Sequence, residues 1–178
     1  MFQAGDLLVY GGTGVCRVVE VTVKDASGPM PGGLYYCLHP LYQTGTIYAP
    51  AENPRVFIRP VICAEDALRL IDGIPAMRVQ PFRTHNMQEL REHYRAACAR
   101  HTCESLLQLA LSIHAKKREA VRNRRRLGQV DERYLKQSEA LLFGELAVAL
   151  GVEPAEVPGF IAARVGSLDA QLDRMAAG

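Results

Sequence analysis

The 178-residue sequence has no tryptophan, and aromatic residues make up only 7% of it. It also lacks a long hydrophobic run. No stretch approaches the roughly 18 apolar residues that a membrane-spanning helix needs, and the richest, residues 140–150, contains Glu145. The first residues have no basic start and reach Asp6 before any apolar run, unlike a secretory signal peptide. We therefore expect no membrane partner and a cytoplasmic location.

The sequence also has few cysteines and no large excess of charge of either sign. The five cysteines are odd in number and scattered, whereas a disulfide framework normally uses an even and denser set. This favours a reducing compartment. The 21 Lys and Arg residues nearly balance the 19 Asp and Glu residues, so the formal net charge is only +2. This balance excludes a histone-like polycation but leaves room for a local basic patch.

The first part of the chain, residues 1–62, has the pattern of short β-strands. β-branched residues alternate along residues 15–23, which predicts a strand with Val15, Arg17, Val19, Val21 and Val23 on one face. Gly and Pro in residues 25–33 predict a long hairpin loop. Further strands are predicted over residues 6–10, 34–38, 46–49 and 56–58. Short strands at such regular spacing are typical of a small, strongly bent, SH3-like barrel.

Residues 63–178 predict an all-helical domain of about five helices, so the fold class is α+β. Asn86 and Glu89 form a predicted capping pair at one helix start. Thr102 is the predicted cap of the next helix, which we expect to extend to about Leu127. Asp131 is the predicted cap of the fourth helix.

Patterns that would indicate catalysis or a cofactor are weak. The glycine-rich residues 11–14 precede a predicted strand, whereas a phosphate-binding loop precedes a helix, so a tight turn is favoured. Cys98, His101 and Cys103 form the only metal-like cluster, and a closed tetrahedral zinc site needs a further ligand. We expect structural cysteines there, with a metal-dependent sensor as the alternative. The sequence thus predicts no enzyme, no metal and no cofactor.

One segment, residues 116–126, is strongly basic, with seven cations and one anion. The cations are Lys116, Lys117, Arg118, Arg122, Arg124, Arg125 and Arg126. The helix dipole explains cations in a last turn but not so many. Like charges four residues apart, as in Arg118 with Arg122 or Arg122 with Arg126, destabilise an isolated helix. The segment therefore favours contact with a nucleic-acid backbone over a merely solvated face.

Four strings of residues carry a resemblance to a known family. They are Phe2-x-x-Gly5-Asp6-Leu7-Leu8-Val9-Tyr10, Gly14-Val15-Cys16, Tyr35-Tyr36-x-Leu38 and Thr46-Ile47-Tyr48-Ala49-Pro50-Ala51-Glu52-Asn53. Their order resembles the N-terminal module of the CarD/CdnL family of bacterial transcription regulators, which is similar to a module of the transcription-repair coupling factor. Residues 144–147 in the predicted fourth helix also fit, so the resemblance covers nearly the whole chain.

The resemblance implies a Tudor-like barrel in residues 1–62 that docks on the RNA polymerase β subunit, partly by strand pairing along an exposed edge. The matching positions are Thr46, Ile47 and Tyr48, with Lys24 beyond the second strand as a charge contact. Tyr48 stands where some members carry an arginine. Because neighbouring strand residues face opposite sides, either Ile47 or Tyr48 must point inward.

For residues 63–178 the resemblance implies contact with promoter DNA at the upstream edge of the melted region. Family members insert a tryptophan into the minor groove there, and apolar wedges of this kind favour an unstacked base step. This chain has no tryptophan; we expect Phe82 as the substitute, with packing between helices as the alternative role. The phosphate contacts expected near it are Arg78, Arg83, Arg91 and Arg95.

The sequence thus predicts a non-catalytic transcription factor that bridges RNA polymerase and promoter DNA and stabilises the open complex. DNA binding by the protein alone should be weak and not sequence-specific, because phosphate contacts carry no sequence information. We expect a cytoplasmic monomer associated with the nucleoid through the polymerase, with a domain-swapped dimer at the sheet edge as the alternative. The rival function is an RNA-binding or ribosome-associated adaptor, since SH3-like barrels serve many roles.

Overall fold

The computed structural model describes residues 1–52 and 54–177, so Asn53 of the fourth string lies outside the described residues. The chain divides into two compact units, Met1–Val61 and Ile62–Gly178. The described part of the first unit contains five β-strands and that of the second contains six α-helices. The predicted α+β class is therefore confirmed, and the sixth helix spans Leu168–Ala176.

The strands of the first unit form one antiparallel sheet. They are β1 (Leu7–Tyr10), β2 (Gly14–Lys24), β3 (Gly33–Pro40), β4 (Ile47–Pro50) and β5 (Ile58–Pro60). Their order is β4-β3-β2-β1-β5. Within residues 1–52 and 54–61, the two short edge strands β4 and β5 do not pair, so the sheet is not closed into the predicted barrel. The strand order remains compatible with a Tudor-like module.

A bulge in β2 changes the predicted faces of this strand. The pairing with β3 shifts between Val18 and Glu20, because a bulge places one extra residue opposite its partner strand. Val18 and Val21 pair with Leu38 and Tyr36, which are two residues apart and so share one face. The single valine face predicted for residues 15–23 is therefore wrong, since the alternation restarts at the bulge.

The core of the first unit is small and built from β1 to β4. Its buried members are Leu8, Cys16, Val18, Tyr36, Leu38 and Ala49. Phe2 packs edge-on against Tyr36 with 5.9 Å between ring centroids. The glycine-rich turn is a 3-10 turn at Gly11–Thr13. Gly11 has φ of +43°, and a Cβ there would lie 2.6 Å from Val56 Cγ1, so the glycines serve a tight turn between strands.

Six α-helices make up the second unit. They are α1 (Ala64–Asp72), α2 (Met87–Cys98), α3 (Cys103–Arg122), α4 (Gln129–Leu150), α5 (Val157–Val165) and α6 (Leu168–Ala176). Asn86 and Thr102 cap α2 and α3 with their side chains, as predicted. Glu89 instead accepts a hydrogen bond from Thr84 Oγ1 at 2.7 Å, which satisfies its carboxylate outside the predicted capping pair.

Two predicted helix boundaries are wrong. α3 ends at Arg122 rather than near Leu127, because the chain turns into a left-handed conformation at Arg124. α4 begins at Gln129 with Gly128 as its N-cap, so Asp131 lies inside the first turn. Asp131 is buried and its carboxylate serves other partners, which explains why it does not cap the helix.

Apolar faces of the helices meet in two clusters. One cluster joins α1, α3, α4 and α5 around Leu142 and Leu146, and the other joins α2, α3 and α4 around Tyr94 and Ile113. Over the described residues, no single helix is long and apolar enough to cross a membrane. One pair of consecutive helical segments in the described residues, Gln129–Leu150 and Pro154–Val165, reaches that length and apolar composition when taken together. The two segments are bent by 98° relative to each other.

Candidate functional site

The edge strand β4 carries the positions expected to dock on a protein partner. It pairs with β3 on one side, and its other edge has no strand partner among the described residues of the first unit. Ile47 points inward and packs against the core, while Tyr48 is 39% exposed. Thr46 precedes the strand, and its Oγ1 lies 3.1 Å from His39 Nε2. The unpaired backbone of β4 suits the addition of a further strand.

Lys24 lies beside Tyr48 on the outer face of the sheet. It is the last residue of β2, not beyond that strand as predicted, because pairing with Gly33 extends β2 by one residue. Its Nζ lies 4.5 Å from the centroid of the Tyr48 ring, a cation–π geometry. The edge therefore presents a cation and an aromatic ring together.

Three exposed valines in the same unit were predicted only as strand residues and not as part of a binding surface. Val19, Val21 and Val23 are 43%, 36% and 71% exposed. They lie toward the end of the β2–β3 hairpin. β2 has 11 residues, whereas its neighbour β1 has only four. The difference in strand length, visible in the sequence as a long alternating run beside a short one, leaves this end of the hairpin uncovered by β1.

The second candidate site is the basic segment, of which five cations are unpaired. Lys117 and Arg122 are exposed on α3, and Arg124, Arg125 and Arg126 are exposed in the loop between α3 and α4. None of these five side chains forms an ion pair or a side-chain hydrogen bond with any residue in 1–52 or 54–177. They form what we call the basic loop cluster.

The backbone of the loop places Arg124 in an unusual conformation. Arg124 has φ of +54°, a left-handed region that normally favours glycine. The N–H of Arg125 donates to Ala120 O at 2.8 Å, which closes the six-residue turn that commonly ends a helix.

Lys116 belongs to the same segment but is tied inside the protein. Its Nζ lies 2.6 Å from Asp131 Oδ1 and 3.2 Å from Tyr94 Oη, and the Tyr94 hydroxyl donates to the same carboxylate. Burial, with help from the Asp131 carboxylate, raises the pKa of Tyr94. This network joins α2, α3 and α4, so Lys116 has a structural role in the free protein.

Arg118 and Arg83 are also engaged. Arg118 pairs with the Asp173 carboxylate and donates to Asp169 O at 3.3 Å. Arg83 pairs with Glu119 through both of its terminal nitrogens. Half of the Arg83 side chain stays accessible, as its relative exposure is 54%. It lines a polar cleft of about 180 Å³ together with Arg125 and Arg126. The tertiary structure thus brings Arg83 to the basic loop cluster.

The remaining predicted phosphate contacts lie on or before α2. Arg91 and Arg95 are exposed and four residues apart on that helix, so they share a face. Arg78 is exposed and donates to the neighbouring Met77 O at 3.1 Å. Among the described residues, none of the three has an ion-pair partner.

Phe82, the expected wedge, is half-buried against the helices. Its ring stacks on His93 at 3.9 Å between centroids and 7° between planes, and it packs against the cluster around Leu90 and Tyr94. Burial and the nearby Arg100 lower the pKa of His93, which favours a neutral imidazole in this stack. One face of the Phe82 ring is therefore already covered.

The cysteine and histidine cluster does not assemble into a metal site. Cys103 is buried at the start of α3 and Cys98 is half-buried at the end of α2. Burial raises the pKa of the Cys98 thiol, which opposes the thiolate form that binds metal. Across the described residues there is no group of three or more side chains suited to a metal ion.

Comparison with known families supports the resemblance inferred from the sequence. Residues 2–62 match the family model of the CarD-like/TRCF RID domain, the RNA polymerase-interacting domain. The comparison with curated proteins finds no match to the chain. The match confirms the predicted resemblance for the first unit and is consistent with a member of the CarD-like family. Domains of this family are non-catalytic and interact with the RNA polymerase β subunit.

Proposed function

We propose that this chain, a transcription-related protein with an RNA polymerase-interacting domain in residues 2–62, bridges the polymerase β subunit and promoter DNA. In this proposal the helical unit contacts DNA near the upstream fork and the bridge stabilises the open complex. The observation that carries the proposal is that one chain combines this domain with five unpaired, exposed cations, Lys117, Arg122, Arg124, Arg125 and Arg126.

Docking would use the β4 edge. A strand of the β subunit can add to the backbone of β4, where main-chain hydrogen bonds supply affinity. Lys24 and Tyr48 then offer side-chain contacts on the outer face. The Tyr48 ring provides apolar contact area, which is less sensitive to salt than a charge–charge pair at the same position would be.

DNA contact would use the basic loop cluster, with Arg83, Arg91, Arg95 and Arg78 as further phosphate contacts. Such contacts position a protein on the duplex without reading its sequence. DNA affinity of the isolated protein is expected to be weak and strongly salt-dependent. Tethering to the polymerase compensates, because a second binding event on the same complex takes place at a high effective concentration.

The wedge role proposed for Phe82 requires the ring to leave its stack on His93 or to insert by its uncovered face. An aromatic residue packed in this way supplies less unstacking than a free tryptophan would. Stabilisation of the open complex would then depend chiefly on phosphate contacts that are better made in the open than in the closed state, since only such differential affinity shifts the equilibrium.

The test is the lifetime of the open complex formed by purified RNA polymerase with the intact protein. The variant Arg125→Gln with Arg126→Gln should shorten the lifetime that the wild-type protein confers. The matched control is Arg133→Gln with Lys136→Gln, two exposed cations of α4 outside the cleft, which removes the same charge. Equal effects of both variants would reject the basic loop cluster as the DNA face.

A second arm examines the docking step and the rival function. Binding of the intact protein to a fragment of the β subunit, measured by calorimetry, is expected and should weaken with Tyr48→Ala. Competition between fork DNA and structured RNA for the protein should favour the DNA. Preference for the RNA, with no binding to the β fragment, would point to the RNA-binding adaptor instead.

A further inference from the structure

Helix α6 covers one cation of the basic segment. Arg118 lies on α3 four residues before Arg122, so the two residues share a face of that helix. Arg122 is exposed, whereas only 24% of the Arg118 side chain is accessible. One terminal nitrogen of Arg118 donates to Asp169 O at 3.3 Å, and the other pairs with the Asp173 carboxylate. Arginine binds phosphate through the same two nitrogens, so α6 and DNA compete for Arg118.

The contact between Arg118 and α6 is of a kind that is easily broken. The Asp173 side chain is 64% exposed, and ion pairs at such exposed positions contribute little to stability. Salt screens them further. A phosphate brought close to Arg118 therefore competes with a partner that is only weakly favoured.

The attachment of α6 to the helical unit is also weak. The helix has nine residues, fewer than the 12 or so that an isolated helix needs for marginal stability. Leu172 is buried, but Leu168 is 39% exposed. Gln171 Nε2 donates to Val165 O at 2.6 Å, while its Oε1 is buried without a hydrogen-bond partner among the residues the structure describes. A buried acceptor of this kind destabilises the docked helix, because it would regain water on release.

The helical unit does not depend on α6 for its core. Among the described residues, the buried members of the cluster around Leu142 and Leu146 lie outside α6, which adds only the partly buried Met175. Gly166 and Ser167 join α6 to α5, and Gly166 has φ of +102°, a conformation that glycine adopts without strain. α6 can therefore move about this connection while the other helices stay packed.

We propose that α6 is an autoinhibitory element that withholds Arg118 from DNA in the free protein. Its release adds Arg118 to the basic loop cluster and extends that cluster along the face of α3 that carries Arg122. Promoter DNA held by the polymerase favours the released form, because it binds this form more tightly than the docked one. The inference rests on the proposed DNA contact and adds a means of regulating it.

The first experiment measures binding of the full chain to a labelled DNA duplex by fluorescence anisotropy at several salt concentrations. Asp173→Asn should raise the affinity about fivefold at low salt and steepen the slope of log affinity against log salt by up to about 0.9, the effect of one additional phosphate contact. The matched control is Asp169→Asn, which removes the same charge from the same helix. It should change the affinity by less than about twofold, because Asp169 holds Arg118 through its backbone oxygen, which the substitution retains.

A double-mutant cycle shows whether Asp173 acts through Arg118. In the Arg118→Gln background, Asp173→Asn should no longer steepen the slope, since the two residues act on one contact. A gain that persists in this background, or equal effects of Asp173→Asn and Asp169→Asn, would overturn the autoinhibitory role and leave the proposed DNA contact intact. Absence of salt-dependent DNA binding by every variant would overturn both.

Release of α6 is tested by hydrogen exchange of its backbone amides, followed by mass spectrometry. The amides of α6 should exchange about tenfold faster in the open complex with polymerase than in the free protein, because they lose their helical hydrogen bonds more often. The amides of α4 serve as the internal control and should not exchange faster. Unchanged exchange in α6 would overturn its release on promoter DNA.

Discussion

The basic segment contains two paired cations, Lys116 and Arg118, and five that are unpaired within the described residues. On α3, Lys116 and Arg118 face carboxylates from α4 and α6, and both are largely buried, with 14% and 24% of their side chains exposed. In the loop, Arg124, Arg125 and Arg126 have no such partners within the described residues. The comparison shows that a run of cations does not mark a ligand site until the carboxylates of neighbouring helices have been placed.

The largest effect is expected on the stability of the protein when the paired cation Lys116 is replaced. Lys116→Met should destabilise the protein by about 3 kcal/mol or more, because it leaves Asp131 buried without its counter-ion. The matched change at the exposed neighbour, Lys117→Met, should shift the free energy of unfolding by less than about 0.5 kcal/mol. Urea unfolding followed by circular dichroism measures both, and similar values would contradict the structural role of Lys116.

The next effect concerns DNA. Neutralising Arg122, Arg124, Arg125 and Arg126 together should reduce the slope of log affinity against log salt by up to about 0.9 for each DNA phosphate that the variant no longer neutralises. Arg118→Gln should leave that slope unchanged, since its partner Asp173 already holds it. Fluorescence anisotropy with a labelled duplex at several salt concentrations gives the slopes. An unchanged slope in the fourfold variant would show that these four unpaired arginines do not contact DNA phosphates.

A smaller effect is expected at Arg124, where one substitution should change stability and DNA affinity in opposite directions. Arg124→Gly should raise the free energy of unfolding by up to about 1 kcal/mol, because glycine relieves the left-handed backbone. The same change should weaken DNA binding, since it removes one cation of the basic loop cluster. Thermal unfolding and anisotropy, run on the same preparation, report the two quantities. A fall in stability would show that the arginine side chain supports the fold.

The smallest effect is expected at an exposed ion pair that has no part in either site. Arg164 donates to Asp72 Oδ1 and Oδ2 at 2.6 and 2.9 Å and lowers the pKa of Asp72. Stability from this pair is therefore present above the ordinary pKa of an aspartate and is lost as the pH falls through the lowered value. Asp72→Asn should slightly lower the unfolding temperature at neutral pH and have no effect in strong acid. The same difference at both pH values would reject the pair as its cause.

Local patterns sufficed for much of the fold. The caps at Asn86 and Thr102 depend on neighbours a few residues away. The bulge in β2 could not be predicted, because it depends on which β3 residues lie opposite. The end of α3 was predicted too late, since Arg and Leu after residue 122 are good helix formers that the turn into α4 overrides.

The sequence by itself determined the division into a strand-rich and a helix-rich half, the resemblance of the first half to a polymerase-interacting domain, and the concentration of positive charge in residues 116–126. These follow from periodicity, turn residues and order along the chain. Only the tertiary structure decided which of those cations remain unpaired and that Phe82 stacks on His93. The reason is that counter-ions and packing partners come from helices distant in sequence, and their approach is set by the burial of apolar faces.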